Sequence, residues 1–238
     1  MAANPTNPAD PTMPIDPARL DALAHHDTPT IANAIQGLGI RPATEGFTRP
    51  PVRALFPHLG PAVGRAVTIT ITSSEPFEDP AAEREAMLPL YDAVAALDGP
   101  TLVVVADLDQ GPGCLWGEVN ATICRTLDAR GVVTDGLVRD VGDVEPLGFH
   151  YLARGVGVAR AYTRIRSVGT PVEVGGARFE PGDLVHADRH GAIVVPVDRI
   201  DDVVDAAERV TAREQQLLDW VRSPDFDPAE LAARRARH

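Results

Sequence analysis

Glu118, Arg139 and Asp140 are the residues of this chain whose types and spacing suit a reaction. Glu118 follows Gly117 directly, and 20 residues separate it from the adjacent Arg139-Asp140 pair. That interval holds one helix, a stop and one buried strand, so both ends can return to the same edge of a sheet. A planar guanidinium holds a carboxylate or an enolate oxygen through paired, charge-assisted hydrogen bonds. A neighbouring carboxylate suits Mg²⁺ or Mn²⁺, which take oxygen ligands and keep several waters. A helix that begins near Glu118 adds first-turn amides with no intrahelical partner, which bind a small carboxylate. Gly117 lets such a ligand approach the main chain closely. The same residues also fit plainer roles. Gly111, Gly113 and Gly117 fit an ordinary strand-to-helix connection, and Asp140 fits a helix N-cap beside a surface arginine.

Other candidates are weaker. His25-His26 diverge as neighbours on a helix and read as surface residues rather than a metal pair. His186, Asp188 and His190 alternate near a strand end and could share one face, although a turn role for Asp188 to Gly191 is the simpler account. Trp116 either walls a small pocket or fills the core.

Composition narrows the chemistry. All 22 Lys+Arg residues are arginine, since the chain contains no lysine. Schiff-base catalysis, P-loop nucleotide binding and pyridoxal phosphate attachment each use a lysine amine, so carbonyl activation falls to a metal. A net charge of −12 argues against a nucleic-acid groove, which needs dense basic patches. No apolar run approaches a membrane span, and the N-terminus lacks a basic-then-apolar signal. Two cysteines, Cys114 and Cys124, match no zinc or redox spacing and suggest a reducing, cytoplasmic setting.

The elements that must position these residues follow from local signals. Residues 1–15, rich in Pro, Asn and Ala, read as a disordered leader. Asp16-Pro17 and Asp27-Thr28-Pro29 are helix starts, the second helix being closed by Gly37 and Gly39. Residues 40–62 read as irregular, and Ala66 to Thr72 as a strand with period two. Asp79-Pro80 opens a helix through about Leu97. Leu102 to Val105 is a buried strand; a glycine loop, a helix from about Glu118 to Ala129, a stop at Gly131 and a strand at Val132-Val133 follow. That order is a βαβ unit with a parallel pair. Apolar segments lie near 149–153 and 156–162. Val172 to Phe179 around Gly175-Gly176 is a hairpin, Ala192 to Val195 is a last strand, and Ile200 to Val221 is a long helix. Residues 16–222 are expected to form one domain, with 223–238 as a tail that is helical or frayed.

At these residues the chain resembles a known family. The runs GCLWGEVNAT and GVVTDGLVRDV are similar to the RraA-like family, as are PVEVGGARFEPGDLVHADRHGAIVVP and the early DTPTIANAI. That family contains metal-dependent 4-hydroxy-4-methyl-2-oxoglutarate/4-carboxy-4-hydroxy-2-oxoadipate aldolases and regulators of ribonuclease activity. The resemblance covers about residues 18–215. It implies an α/β fold, a swivelling β/β/α sandwich, assembled as a homotrimer or homohexamer with sites near subunit interfaces. It further implies that Arg139 binds the pyruvyl group of a small 2-oxo acid substrate and that Asp140 ligates Mg²⁺ or Mn²⁺. Gly117, Glu118, Val119 and Asn120 would hold the substrate carboxylate, and Glu118 would be the acid/base. Several of the aldolases carry Asp at that position and regulator-type members also carry Glu, so three activities follow. They are a class II lyase releasing pyruvate, with oxaloacetate decarboxylation as a companion; a regulator that binds an RNA-processing enzyme; and a related metal-dependent dehydratase or isomerase.

Overall fold

The computed structural model describes residues 15–77 and 87–235. Asp16 accepts from the Ala18 amide and Asp27 from the Thr30 amide, each with a proline in the first turn. These caps start α1 (Pro17–Ala24) and α2 (Thr28–Gly37). Next come β1 (Arg53–Ala54), β2 (Ala62–Thr72), α3 (Leu88–Ala95), β3 (Thr101–Asp107) and β4 (Cys114–Trp116). The middle of the chain forms α4 (Glu118–Thr126), β5 (Ala129–Thr134), β6 (Leu137–Val138), the one-turn helix α5 (Val141–Val144), β7 (His150–Ala153), β8 (Gly155–Val156) and β9 (Arg164–Val168). The last part holds the hairpin β10 (Val172–Val174) and β11 (Ala177–Phe179), then β12 (Leu184–Asp188), β13 (Gly191–Val195), α6 (Ile200–Arg222) and α7 (Leu231–Arg235).

The main sheet runs β1-β7-β5-β3-β2-β12-β13, with β9 also on β2. Its centre, β7-β5-β3-β2, is parallel. β3 (TLVVVAD) is buried along its whole length, as a strand covered on both faces must be. Its side chains alternate between two cores. Val103 and Val105 pack with Trp116, Phe149 and Tyr151 under α3, α4 and α5. Leu102, Val104 and Ala106 pack with Val174 and Phe179 of the hairpin. A third core joins α1, α2 and α6 to β12 and β13 through Leu23, Ile31, Leu184 and Val203. Residues 47–54 nearly close the sheet: Phe47 bridges Ile193 of β13, and β1 pairs antiparallel with β7. The result is a mixed α/β domain of the expected class.

Local outcomes differ in places from the expectations. β2 begins at Ala62, earlier than its alternating pattern, because Gly64 lets the strand lie against the Pro100 backbone, where a Cβ would come within 2.7 Å of the carbonyl oxygen. α4 ends at Thr126 and the chain turns at Asp128 (φ 67°), so Gly131 is not the stop. Gly131 lies inside β5, where a Cβ would sit 2.5 Å from that of His150. Gly175 and Gly176 both take positive φ, as a two-residue hairpin turn requires. The expected start at Asp79-Pro80 and nearly all of the 1–15 leader lie outside the described residues. No helix among the described residues is long and apolar enough to cross a membrane.

Candidate functional site

A separate three-stranded parallel sheet, β4-β6-β8, builds the site. β4 ends at Trp116 and β6 at Val138, so their next residues, Gly117 and Arg139, emerge side by side. The Arg139 amide donates to the Trp116 carbonyl at 2.9 Å and fixes this register. The glycine loop thus contains a short strand that its spacing did not announce.

Asp140 takes the left-handed conformation (φ 56°, ψ 39°), which costs most L-residues about 1–2 kcal/mol but is milder for Asp and Asn. It occupies the N-cap position of α5, yet its side chain makes no capping bond there. The carboxylate instead crosses to the start of α4, where Oδ2 accepts the Glu118 amide at 3.0 Å. Gly117 makes this crossing possible, because a Cβ there would collide with Asp140 Oδ2 and lie 3.0 Å from Arg139 Nε. Arg139 Nε is 3.6 Å from the same Oδ2, and both side chains are a little over one-third exposed. Arg139 Nε itself is buried and has no hydrogen-bond partner.

The structure therefore brings Gly117, Glu118, Arg139 and Asp140 together. The Glu118 amide is engaged by Asp140, which leaves the Val119 and Asn120 amides as the other partnerless donors of the first turn. The Asn120 side chain turns inward: its amide group donates to the Leu115 carbonyl at 2.6 Å, and its Oδ1 accepts from Tyr91 at 2.6 Å. Tyr91 had no signal in the sequence, since a helical tyrosine is usually amphipathic cover. Tyr151 lies in the core beneath the pair. Burial, then the charges of Asp140 and Cys114, push its phenol well above the usual range. Trp116 is buried and stacked on Phe149, so it fills the core. Burial raises both thiols, Cys124 to about 12, which leaves them poor nucleophiles.

His186, Asp188 and His190 do share a strand end, but as a clamp. Asp188 accepts from the Thr28 and His190 amides, while His186 bonds Thr28 Oγ1 and the His26 carbonyl. Asp188 loses solvation on burial, yet these amides outweigh that and hold its carboxyl low. Burial lowers the His186 imidazole below its usual range, against the charge of Asp188. His25 Nδ1 meets the Asp21 carbonyl at 2.7 Å.

Among the described residues no group of three or more His, Cys, Asp or Glu is placed to hold a metal ion. The donor set at Asp140 fits a different kind of site. One carboxylate whose Oδ2 is already engaged, beside an exposed Glu118, suits a hard cation that keeps most of its waters rather than an all-protein cage.

The fold and this edge define a mixed α/β protein with a guanidinium-carboxylate pair set against a helix start. The chain belongs to the RraA-like family, whose Aldolase/RraA model matches residues 28–194. A Halalkalibacterium halodurans protein, provisionally named 4-hydroxy-4-methyl-2-oxoglutarate aldolase, is 30% identical over 100 residues, 42% of this chain and 48% of that one. The chain thus matches about half the length of this curated relative. In solved structures, an uncharacterized Pseudomonas syringae protein shares the fold with a TM-score of 0.73 at 24% identity, covering 95% of this chain and 97% of that one. Streptomyces coelicolor RraAS2, described as an unusual member of the RNase ES inhibitor RraA protein family, has a TM-score of 0.68 at 25% identity, covering 85% and 96%.

Proposed function

We propose that the protein is a divalent-metal-dependent lyase that cleaves a 4-hydroxy-2-oxo acid to release pyruvate, with oxaloacetate decarboxylation as a companion activity. The observation that supports this is the path of the Asp140 carboxylate, which leaves its own helix to meet Glu118 beside Arg139. A structural N-cap would have bonded its own first turn. The name of the Halalkalibacterium relative points the same way.

Asp140 would hold Mg²⁺ or Mn²⁺, which would supply Lewis-acid polarisation of the 2-oxo group. Arg139 binds the 2-oxo oxygen and stabilises its negative charge as the C3–C4 bond breaks and the electron pair forms the pyruvate enolate. The Val119 and Asn120 amides hold the C1 carboxylate. Glu118, which is exposed, takes the 4-hydroxyl proton through a water and returns a proton to C3. Decarboxylation uses the same enolate, with CO₂ as the leaving group.

A homo-oligomer, a trimer or hexamer, would complete the substrate pocket. Val119, Val156 and Val158 support this, since all three are more than half exposed, and Val156 is paired with Val138 next to Arg139. Purified protein is to be assayed for pyruvate release from 4-hydroxy-4-methyl-2-oxoglutarate and from oxaloacetate, with and without Mg²⁺. Absence of metal-dependent turnover on both would reject the lyase. The likeness to RraAS2 supports a second reading, a regulator that binds an RNA-processing enzyme. A pull-down that recovers no ribonuclease would reject that one.

A further inference from the structure

A second polar group lies behind the site, at the carboxyl edge of the main sheet. β3 ends on Asp107, the turn after β5 opens on Asp135, and β7 runs into Arg154. The Asp107 amide donates to Asp135 Oδ1 at 2.8 Å, and the Arg154 amide donates to the Gly136 carbonyl at 3.1 Å. Gly136 rests against Asp107, where an added Cβ would meet the Asp107 side chain at 3.2 Å. Arg154 reaches to 3.9 Å from Asp107 Oδ2. The Asp107 carboxyl is wholly buried, and neither of its oxygens accepts from a donor. Beside them, Asp109 accepts from the Ser73, Ser74 and Gly111 amides, and the Gly113 amide donates to Ser73 Oγ.

Every strand of the small sheet leaves from this group. β4 follows Gly113, β6 follows Gly136 and β8 follows Arg154. After two or three residues β4 and β6 deliver Gly117 and Arg139 to the candidate site. At about 3.3 Å per residue, the three or four residues between them set the group roughly 10–13 Å behind the site, too far to touch a substrate held there. It is not a cation cage either, since no metal-binding group of three carboxylates or other ligands exists among the described residues. A two-residue strand has little ladder of its own to hold it. β6 is tied by the Arg139 amide to Trp116 at one end and by Asp135 and Gly136 at the other.

We propose that Asp135, Asp107 and Arg154 are positioning residues, which set the register of β6 against β4 and so the placement of Arg139 beside Gly117. The consequence for turnover rests on the lyase reading; the placement itself does not. The group also carries a charge that changes near neutrality. Burial first, then the neighbouring Asp109 and the charge of Asp135, raise Asp107 to about 7 against the opposing charge of Arg154. Asp109 loses some solvation, but the Ser73 and Ser74 amides outweigh this and hold it at about 2. Burial raises Asp135, with Glu173 facing it as a further acid.

The test compares full-length Asp135→Ala, Asp135→Asn and Asp107→Asn with the wild type. Hydrogen exchange over residues 114–120 and 135–141 reads the placement. Rates with oxaloacetate and Mg²⁺, resolved into kcat and KM, read its consequence. Asp135→Ala is expected to expose the Glu118 amide to exchange and to lower kcat by about 10- to 100-fold, with KM changed less than about threefold. Asp135→Asn keeps an acceptor for the Asp107 amide and is expected to restore both. If Asp135→Ala does not fold, Asp107→Asn decides: wild-type kcat is expected to change between about pH 6 and 8, and the variant's to be flat there. Wild-type exchange and kcat in Asp135→Ala, no rescue by Asn, or an unchanged pH profile in Asp107→Asn would each overturn the proposal. If the wild type turns over no 2-oxo acid, the lyase reading fails, and exchange at Glu118 alone decides the positioning role.

Discussion

The Glu118 amide donates to Asp140 Oδ2 at 3.0 Å, joining the first turn of α4 to a residue that belongs to the next βα connection. This contact requires Gly117. Its φ of −144° is open to any residue, so the glycine is needed for space rather than for backbone conformation. Gly117→Ala should therefore fold with a Tm close to wild type while its methyl displaces Asp140 and Arg139. The expected loss in kcat/KM is about 10- to 100-fold. A variant with wild-type kcat/KM would show that the crossing carboxylate has no part in turnover.

Asp140 separates charge from backbone conformation. Asp140 sits at φ 56°, where Asn is about as well tolerated as Asp and Ala costs more. Asp140→Asn is expected to keep its stability and lose Mn²⁺ binding in a calorimetric titration. Asp140→Ala should lose both, with a further cost of about 1 kcal/mol in urea denaturation. Undiminished Mn²⁺ affinity in the Asn variant would remove the metal role from this residue.

The absence of lysine gives a chemical prediction. Treatment with borohydride in the presence of pyruvate should trap no adduct on the folded domain and leave turnover unchanged. EDTA should abolish turnover, and added Mg²⁺ or Mn²⁺ should restore it. EDTA-resistant activity would exclude the class II route.

Much of the fold was legible in the sequence because its signals are local. Asp16 and Asp27 with their prolines, the apolar run of β3, the Gly175-Gly176 turn and the spacing of α6 each depend on neighbours in sequence. The proximity of Glu118 to Arg139 and Asp140 followed from one βαβ interval. What was not legible depends on contacts between distant segments. Gly131 resembled a helix stop, but it is a packing glycine under His150. The bridging of β13 to β7 by residues 47–54 has no periodicity to reveal it. Strands of two or three residues, such as β4, β6 and β8, are too short to show an alternation. Asp107 and Asp135 look like ordinary strand-end acids until the parallel order brings them together.

The Asp188 clamp should be structural. Removing its carboxylate leaves the Thr28 amide buried without a partner at the start of α2. Asp188→Ala is expected to cost about 2–4 kcal/mol in urea denaturation, with the m-value unchanged. A cost below about 0.5 kcal/mol would mean that water replaces the carboxylate freely.

Two buried groups give the stability opposite slopes with pH. Burial first, and then Asp109, raises Asp107 from 3.8 to about 7. Between those values the native state holds a proton that the unfolded state has released. Its contribution is complete below about pH 4 and is lost as pH rises through 7. Burial lowers His150 from 6.5 to about 4, and there the unfolded state holds the extra proton. That contribution is complete above about pH 6.5 and is lost as pH falls toward 4. The two slopes offset each other below about 6.5 in the wild type, so single variants are needed to separate them. Asp107→Asn keeps the shape of the neutral carboxyl and removes the falling slope. Its Tm should gain on the wild type as pH rises from about 5 to 8, by on the order of 2 kcal/mol or about 5 °C. His150→Gln should instead flatten the acid limb and leave the change above pH 6.5 intact. A Tm difference between Asp107→Asn and wild type that stays constant with pH would mean that Asp107 is already ionised in the native protein at pH 5. Arg154 would then be its effective partner, rather than a charge held 3.9 Å away from a neutral acid.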